Sequence, residues 1–182
     1  MPSWTSVKTW VSETLTSSDL NTYVRDDLEY LKAQTDQIAF SGVIVDRAGV
    51  AQSIPDSAYT AISFTREILD VGGWIAVPST TITVPASAIP TGYTTVVVLI
   101  NFRVEFAANA TGIRKVRVLN GGTVVAGSTV SAASADTTDL VGSRINTAVA
   151  ADTFTMEVWQ SSTGSLNAVS HSLDIAVFKP YA

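Results

Sequence analysis

The chain predicts a mainly β protein: a jelly-roll sandwich of about eight to ten short strands, preceded by a short N-terminal α-helix. Three observations carry this. Between Thr95 and Ala126 lies the strongest strand signal of the sequence, followed by a hairpin signal at Asn120-Gly121. Phe154–Gln160 and Ser172–Phe178 alternate strictly between apolar and polar residues, the pattern of strands covered on one face. Pro55, Pro78, Pro85 and Pro90 break the segments before the central strand into short pieces, a proline and loop pattern that favours a jelly roll.

Composition bounds what such a domain does. The 182 residues are enough for one sizeable core plus a small appendage. Only 15% of residues are charged, and the polar remainder is rich in Ser, Thr, Asn and Gly, which suits an exposed, assembled β protein better than a metabolic enzyme. A net charge of −5 leaves no electrostatic footprint for nucleic acid. With no cysteine, disulfides, cysteine-zinc sites and thiol catalysis are excluded. The first residues, MPSWTSVKTWVSETL, lack a basic segment followed by an apolar core and are not expected to act as a secretory signal. The longest aliphatic run, Val96–Ile100, is too short to span a bilayer, so no membrane insertion is expected.

Taken in order, residues 1–14 read as an extended arm carrying Trp4 and Trp10. Two indoles in so short a stretch need burial elsewhere, either back on the same chain or as an anchor in another subunit. Residues 15–40 read as a helical stalk. Thr16 and Asp19 form a start resembling a capping box, and the helix is expected over about Ser17–Gln37. Val24, Leu28, Leu31, Thr35 and Ile38 form a heptad seam flanked by Leu20 and Tyr23, and Arg25 with Glu29 supplies an i,i+4 pair. The helix either lies against its own β domain or gathers with other copies in a bundle.

Residues 41–182 read as the β domain. Val43–Val45 start it, with a turn at Asp46–Gly49. A strand interrupted by Pro55 is expected to continue through Tyr59, Ala61, Ile62 and Phe64, and Ile68-Leu69 lead to the Gly72-Gly73 break. In the central stretch, Val96–Ile100 form a continuous apolar run, and Phe102, Val104 and Phe106 then alternate with Arg103 and Glu105. A strand covered on both faces reads as a run, so this one should pass from the centre of a core to a wetter end. It is expected to form three successive antiparallel strands with Ile113–Asn120 and the segment from Val124, Asn120-Gly121 holding the central positions of a type I′ turn. A polar loop over Ser131–Asp139, then Leu140–Val149, Phe154–Gln160, a turn at Ser161–Gly164, and Ser172–Phe178 complete the domain.

The segments TGIRKVRVLNGGTVVAGSTVSAA and AVAADTFTMEVWQSSTGSLNA, with a closing strand ending in Phe178 and Tyr181, resemble the C1q/TNF-like jelly-roll family as found in bacteriophage virion proteins, over roughly residues 42–181. Ala151-Asp152 stands where that family often has Gly-Asp. The segment LTSSDLNTYVRDDLEYLK is similar to an N-terminal element of many phage structural proteins, with Asp27 where Asn is frequent. The resemblance implies a homotrimer of jelly rolls about a three-fold axis, with the helices gathered on that axis and the Trp4/Trp10 arm as the attachment end. Trp4, Trp10, Leu20, Val24, Leu28, Leu31, Ile38, Phe178 and Tyr181 are then the oligomerisation and anchor residues. It further implies a non-enzymatic virion surface protein (capsid or tail decoration, fibre or spike), made in the host cytoplasm and bound to other virion proteins. The alternatives are a host receptor-binding module recognising a cell-surface glycan or protein and, in another class, an enzyme that hydrolyses glycans.

No constellation asks for catalysis or a cofactor. The single histidine, His171, is followed by Asp174, but alternation turns the two to opposite faces, against the mutual orientation a Ser-His-Asp set requires. His171 reads as a surface or interface residue, and zinc would need three copies gathered at an axis. Asp136, Asp139 and Asp152 fall in turn-like segments where Asp is favoured for backbone reasons, without the spacing of a calcium loop; the sequence leaves a carboxylate pair for glycan hydrolysis open. Arg114, Lys115 and Arg117 could grip an acidic surface or polysaccharide, although most of them read as solvated strand charges.

Overall fold

The computed structural model describes residues 16–17, 25, 27–29, 41–47, 49–132 and 136–178, the last by its backbone alone. In the N-terminal segment Ser17 and 27–29 are helical, and Arg25 Nε lies 3.7 Å from Glu29 Oε1, the i,i+4 pair that the spacing predicts. The expected arm, and the rest of the expected stalk, lie outside the described residues.

From residue 41 the chain forms two antiparallel sheets. Sheet A takes β1 (Ser41–Asp46), β4 (Arg66–Val71), β6 (Val96–Phe106), β9 (Thr138–Ala148) and β11 (Leu166–Phe178) in the order β4-β1-β11-β6-β9, with β2 (Gln52–Ile54) also on β11. Sheet B takes β3 (Thr60–Ala61), β7 (Ile113–Asn120), β8 (Thr123–Ser131) and β10 (Thr153–Gln160) in the order β3-β10-β7-β8, with β5 (Ile82–Thr83) also on β10. The core lies between them. Val98, Ile100, Val104 and Phe106 of β6 and Leu173 and Ile175 of β11 meet Val116 and Val118 of β7 and Phe154, Met156 and Val158 of β10.

The two sheets account for several departures from the sequence expectations. β6 does not pair with β7: it lies between β11 and β9 in sheet A, while β7 lies between β10 and β8 in sheet B. The hairpin seed is therefore two strands, and the loop at 107–112 carries the chain between layers. The hairpin itself is displaced by one residue, with positive φ at Gly121 (54°) and Gly122 (86°) while Asn120 still pairs with Thr123. This leaves the Asn120 amide free to donate to Asp152 Oδ2 at 3.0 Å. The segment around Pro55 is likewise not one strand. β2 belongs to sheet A and β3 to sheet B, with Ser57 at φ 57° turning the chain between them and its N–H donating to the Gln160 carbonyl at 2.8 Å. The segment Trp74, Ile75 and Val77, whose apolar residues before Pro78 read as a short strand in sequence, is not one. Trp74 precedes the short β5 and is anchored, its indole N–H donating to Ser41 Oγ at 3.1 Å, and the Asp70 carboxylate accepts from the N–H groups of Gly73, Trp74 and Ile75.

Candidate functional site

Sheet A has an outer face that no part of the described chain covers with a second layer. Register places Val71, Gly42, Ala176, Leu99 and Ile145 in one row across all five strands. The next row inward is Leu69, Ile44, Asp174, Asn101 and Ser143. On the other side of the first row lie Val97 and Thr147. Ile145 is 66% exposed, Val97 41% and Val71 39%, whereas the alternate residues Val96, Val98 and Ile100 are buried.

This pattern locates the tension in the central strand. Val96–Ile100 has the composition of a strand buried on both faces, yet the described chain covers one face only. The composition is that of a surface meant to be covered. Toward Phe106 the same face turns ionic: Arg103 Nη2 lies 3.0 Å from Asp139 Oδ2 and 3.4 Å from Glu105 Oε2, and Arg66 pairs with Asp46. The wetter end expected of this strand is therefore this ion-pair cluster. Between the two zones is Asp174, half-buried, whose carboxyl is pushed above its usual range by burial. Asp139 belongs to β9 and is engaged by Arg103, so it does not converge with Asp136 on a cation. Among the described residues no three of His, Asp and Glu gather as metal ligands.

Of the sequence-predicted anchor residues, Leu28 is 59% exposed, and Phe178 pairs through its backbone with Val97 at the apolar end of sheet A. Trp4, Trp10, Leu20, Val24, Leu31, Ile38 and Tyr181 lie outside the described residues. Sequence reasoning missed Val71, Val97 and Ile145 as exposed residues and Leu99 and Ala176 as half-buried residues of the same outer face. For Val97 and Leu99 the signal was the unbroken run in β6, read as core.

Two polar residues expected at the surface are buried. His171 is 3% exposed because it shares strand parity with Leu173 and Ile175, and it packs 6.4 Å from the Phe64 ring. It points between the sheets, so copies of it cannot gather at an axis facing sheet A, and Asp174 points out of the opposite face. Neither imidazole nitrogen has a hydrogen-bond partner among the described residues. Burial, helped by the nearby Arg47 and opposed by Asp46, lowers its pKa to about 4. Arg114 is fully buried at the inward end of β7. Its guanidinium donates to the carbonyls of Thr111 (2.9 Å), Ile113 (3.2 Å) and Asn109 (3.3 Å), pinning the crossover loop, and lies 5.8 Å from the Phe106 ring centre. Lys115 and Arg117, of opposite parity, do face outward, and both are ordered against aromatic rings.

Two antiparallel sheets of this order, packed face to face with the last strand between the first and the central one, define a C1q/TNF-like jelly roll. The chain is similar to the globular domain of zebrafish complement 1qA protein, with a TM-score of 0.53 at 10% identity, over 78% of this chain and 98% of that one. It is similar to murine APRIL at pH 8.0, with a TM-score of 0.55 at 14% identity over 77% and 100% of the two chains, and to murine APRIL at pH 5.0, with a TM-score of 0.53 at 13% identity. At these identities the likeness is one of fold. No protein-family profile matches the chain, and no curated protein matches it.

Proposed function

We propose that this chain is a non-enzymatic structural protein of a bacteriophage virion surface, a homotrimer whose jelly rolls pack through the outer face of sheet A. In this reading residues 1–14 and 15–40 are the arm and stalk that anchor it to other virion proteins, and the jelly roll projects as a decoration, fibre or spike. The observation that supports assembly is the apolar row of exposed Val71 and Ile145 with half-buried Ala176 and Leu99 between them, and exposed Val97 beside it, around a central strand whose composition suits burial on both sides. Burying the exposed parts of these aliphatic side chains contributes at most on the order of 6 kcal/mol per subunit, comparable to the entropic cost of association, so the polar remainder of the face must contribute as well. The virion assignment is supported by the resemblance of Leu15–Lys32 and of residues 42–181 to phage structural proteins.

Light scattering on the full chain tests the assembly. The expected mass is three times 19.2 kDa. Ile145→Glu, which places a charge on the most exposed apolar residue of the face, at its β9 edge, is expected to give a folded monomer. A monomeric wild type, or a trimer indifferent to Ile145→Glu and Val97→Glu, would refute packing through this face. Immunogold labelling of phage particles from a host expressing the gene tests the virion location.

A further inference from the structure

The outer face of sheet B carries a layer that neither the core nor the assembly face uses. Trp159 pairs across the strands with Lys115, and Glu157 with Arg117. The Lys115 ammonium stands 4.4 Å from the centre of the Trp159 ring, and the Arg117 guanidinium stacks 3.6 Å from that of Tyr59. Tyr59 and Trp159 are themselves neighbours, with ring centres 6.5 Å apart. Arg117 also donates through Nε and Nη2 to Glu157 Oε2, at 2.7 and 2.6 Å. Both cations are thus held in fixed positions before any ligand arrives.

Two features separate this layer from an ordinary solvated strand surface. It holds two cations against one carboxylate, on a chain of net charge −5, and the Lys115 ammonium rests on a ring instead of a carboxylate. In the Arg117 row the next position is Gly127, which supplies no side chain and leaves a shallow depression of about 310 Å³ between Arg117 and Tyr59 on one side and the β8 backbone with Thr129 on the other. Aromatic ring surface for the C–H groups of a pyranose, fixed cations for a carboxylate, and hydroxyl and backbone groups for ring hydroxyls are the set of groups an acidic sugar requires.

We propose that this face binds a carboxylate-bearing saccharide, with Lys115 and Arg117 taking the carboxylate and Trp159 and Tyr59 forming the wall against which the sugar ring lies. The site is on the opposite side of the sandwich from sheet A and does not depend on the trimer. Isothermal titration of the full chain with tetragalacturonate, maltotetraose and inorganic tripolyphosphate tests it. Tetragalacturonate is expected to bind at least about tenfold more tightly than neutral maltotetraose, with an affinity that falls as salt rises. Lys115→Gln and Trp159→Ala are each expected to weaken it about tenfold. Far-UV circular dichroism checks that each variant is folded, and Lys115→Gln carries the test should Trp159→Ala not fold. Absence of tetragalacturonate binding, or binding unchanged in the folded variants, overturns the proposal. So does tripolyphosphate binding as tight as tetragalacturonate and insensitive to Trp159, which would reduce the layer to a patch of positive charge.

Discussion

His171 makes the stability of the β unit depend on pH in a way that one substitution should abolish. In the folded protein its pKa is about 4, against 6.5 for a free imidazole, because protonation would place a charge between the sheets next to Arg47, with Asp46 offsetting only part of the cost. The unfolded chain takes up the proton first as pH falls. The contribution of the uncharged imidazole to stability is therefore fully present above pH 6.5, declines between 6.5 and about 4, and is gone below that. At about 1.4 kcal/mol per pH unit the shift from 6.5 to about 4 corresponds to about 3 kcal/mol. Urea unfolding followed by tryptophan fluorescence, at several pH values between about 7 and 4, measures this in wild type and in His171→Leu. The variant also removes two buried nitrogens that lack partners, so at neutral pH it should be as stable as wild type or more so. Carboxylates titrate in the same window in both proteins, and the difference between the two curves isolates the imidazole. Parallel curves would refute the burial of an uncharged histidine at this position.

Two further outcomes follow from single residues. Arg114→Met keeps the apolar stem but removes the donors that hold the carbonyls of Asn109, Thr111 and Ile113, and should destabilise the protein by about 3 kcal/mol in a urea titration, with early proteolysis at the 107–112 loop. Ala151 sits at φ 68°, a conformation that disfavours a Cβ, so Ala151→Gly should raise stability by about 0.5 kcal/mol after the entropy of the unfolded glycine is offset, and thermal melting should register it as a small upward shift.

The fold was legible because local signals agreed: the strand at Val96–Phe106, the alternation of Phe154–Gln160 and the turn at Ser161–Gly164 all fall where sequence reasoning puts them. Pairing was less legible. Adjacent strands usually pair, but a jelly roll sends β6 and β7 to different layers, and nothing within 107–112 announces a change of sheet. Strand parity carried more than was read from it. Extending the Leu173–Ile175 alternation back by one step places His171 in the core, and extending that of Val116–Val118 back places Arg114 there. Both were overruled by the expectation that charged and polar residues face water, which fails where a guanidinium finds carbonyls. The candidate face was hidden differently: Val97 and Leu99 look like core to a reader of one chain. The aromatic layer on sheet B could not be found by inspecting loops, because Trp159 and Lys115 are on strands and meet only through register.

The pairing of the first and last strands has a mechanical consequence. Ser41 stands directly opposite Val177, so the β unit is entered and left at the same end of sheet A. A pull applied between those two points would load the β1–β11 hydrogen bonds one after another, like a zipper, and meet little resistance. A pull from Ser41 against the far end of β6 would load the β1–β11 and β11–β6 ladders along their length, all bonds at once. A tether joined at residue 41 and drag on the distal loops would impose the second geometry, the one in which a small antiparallel sheet resists most strongly.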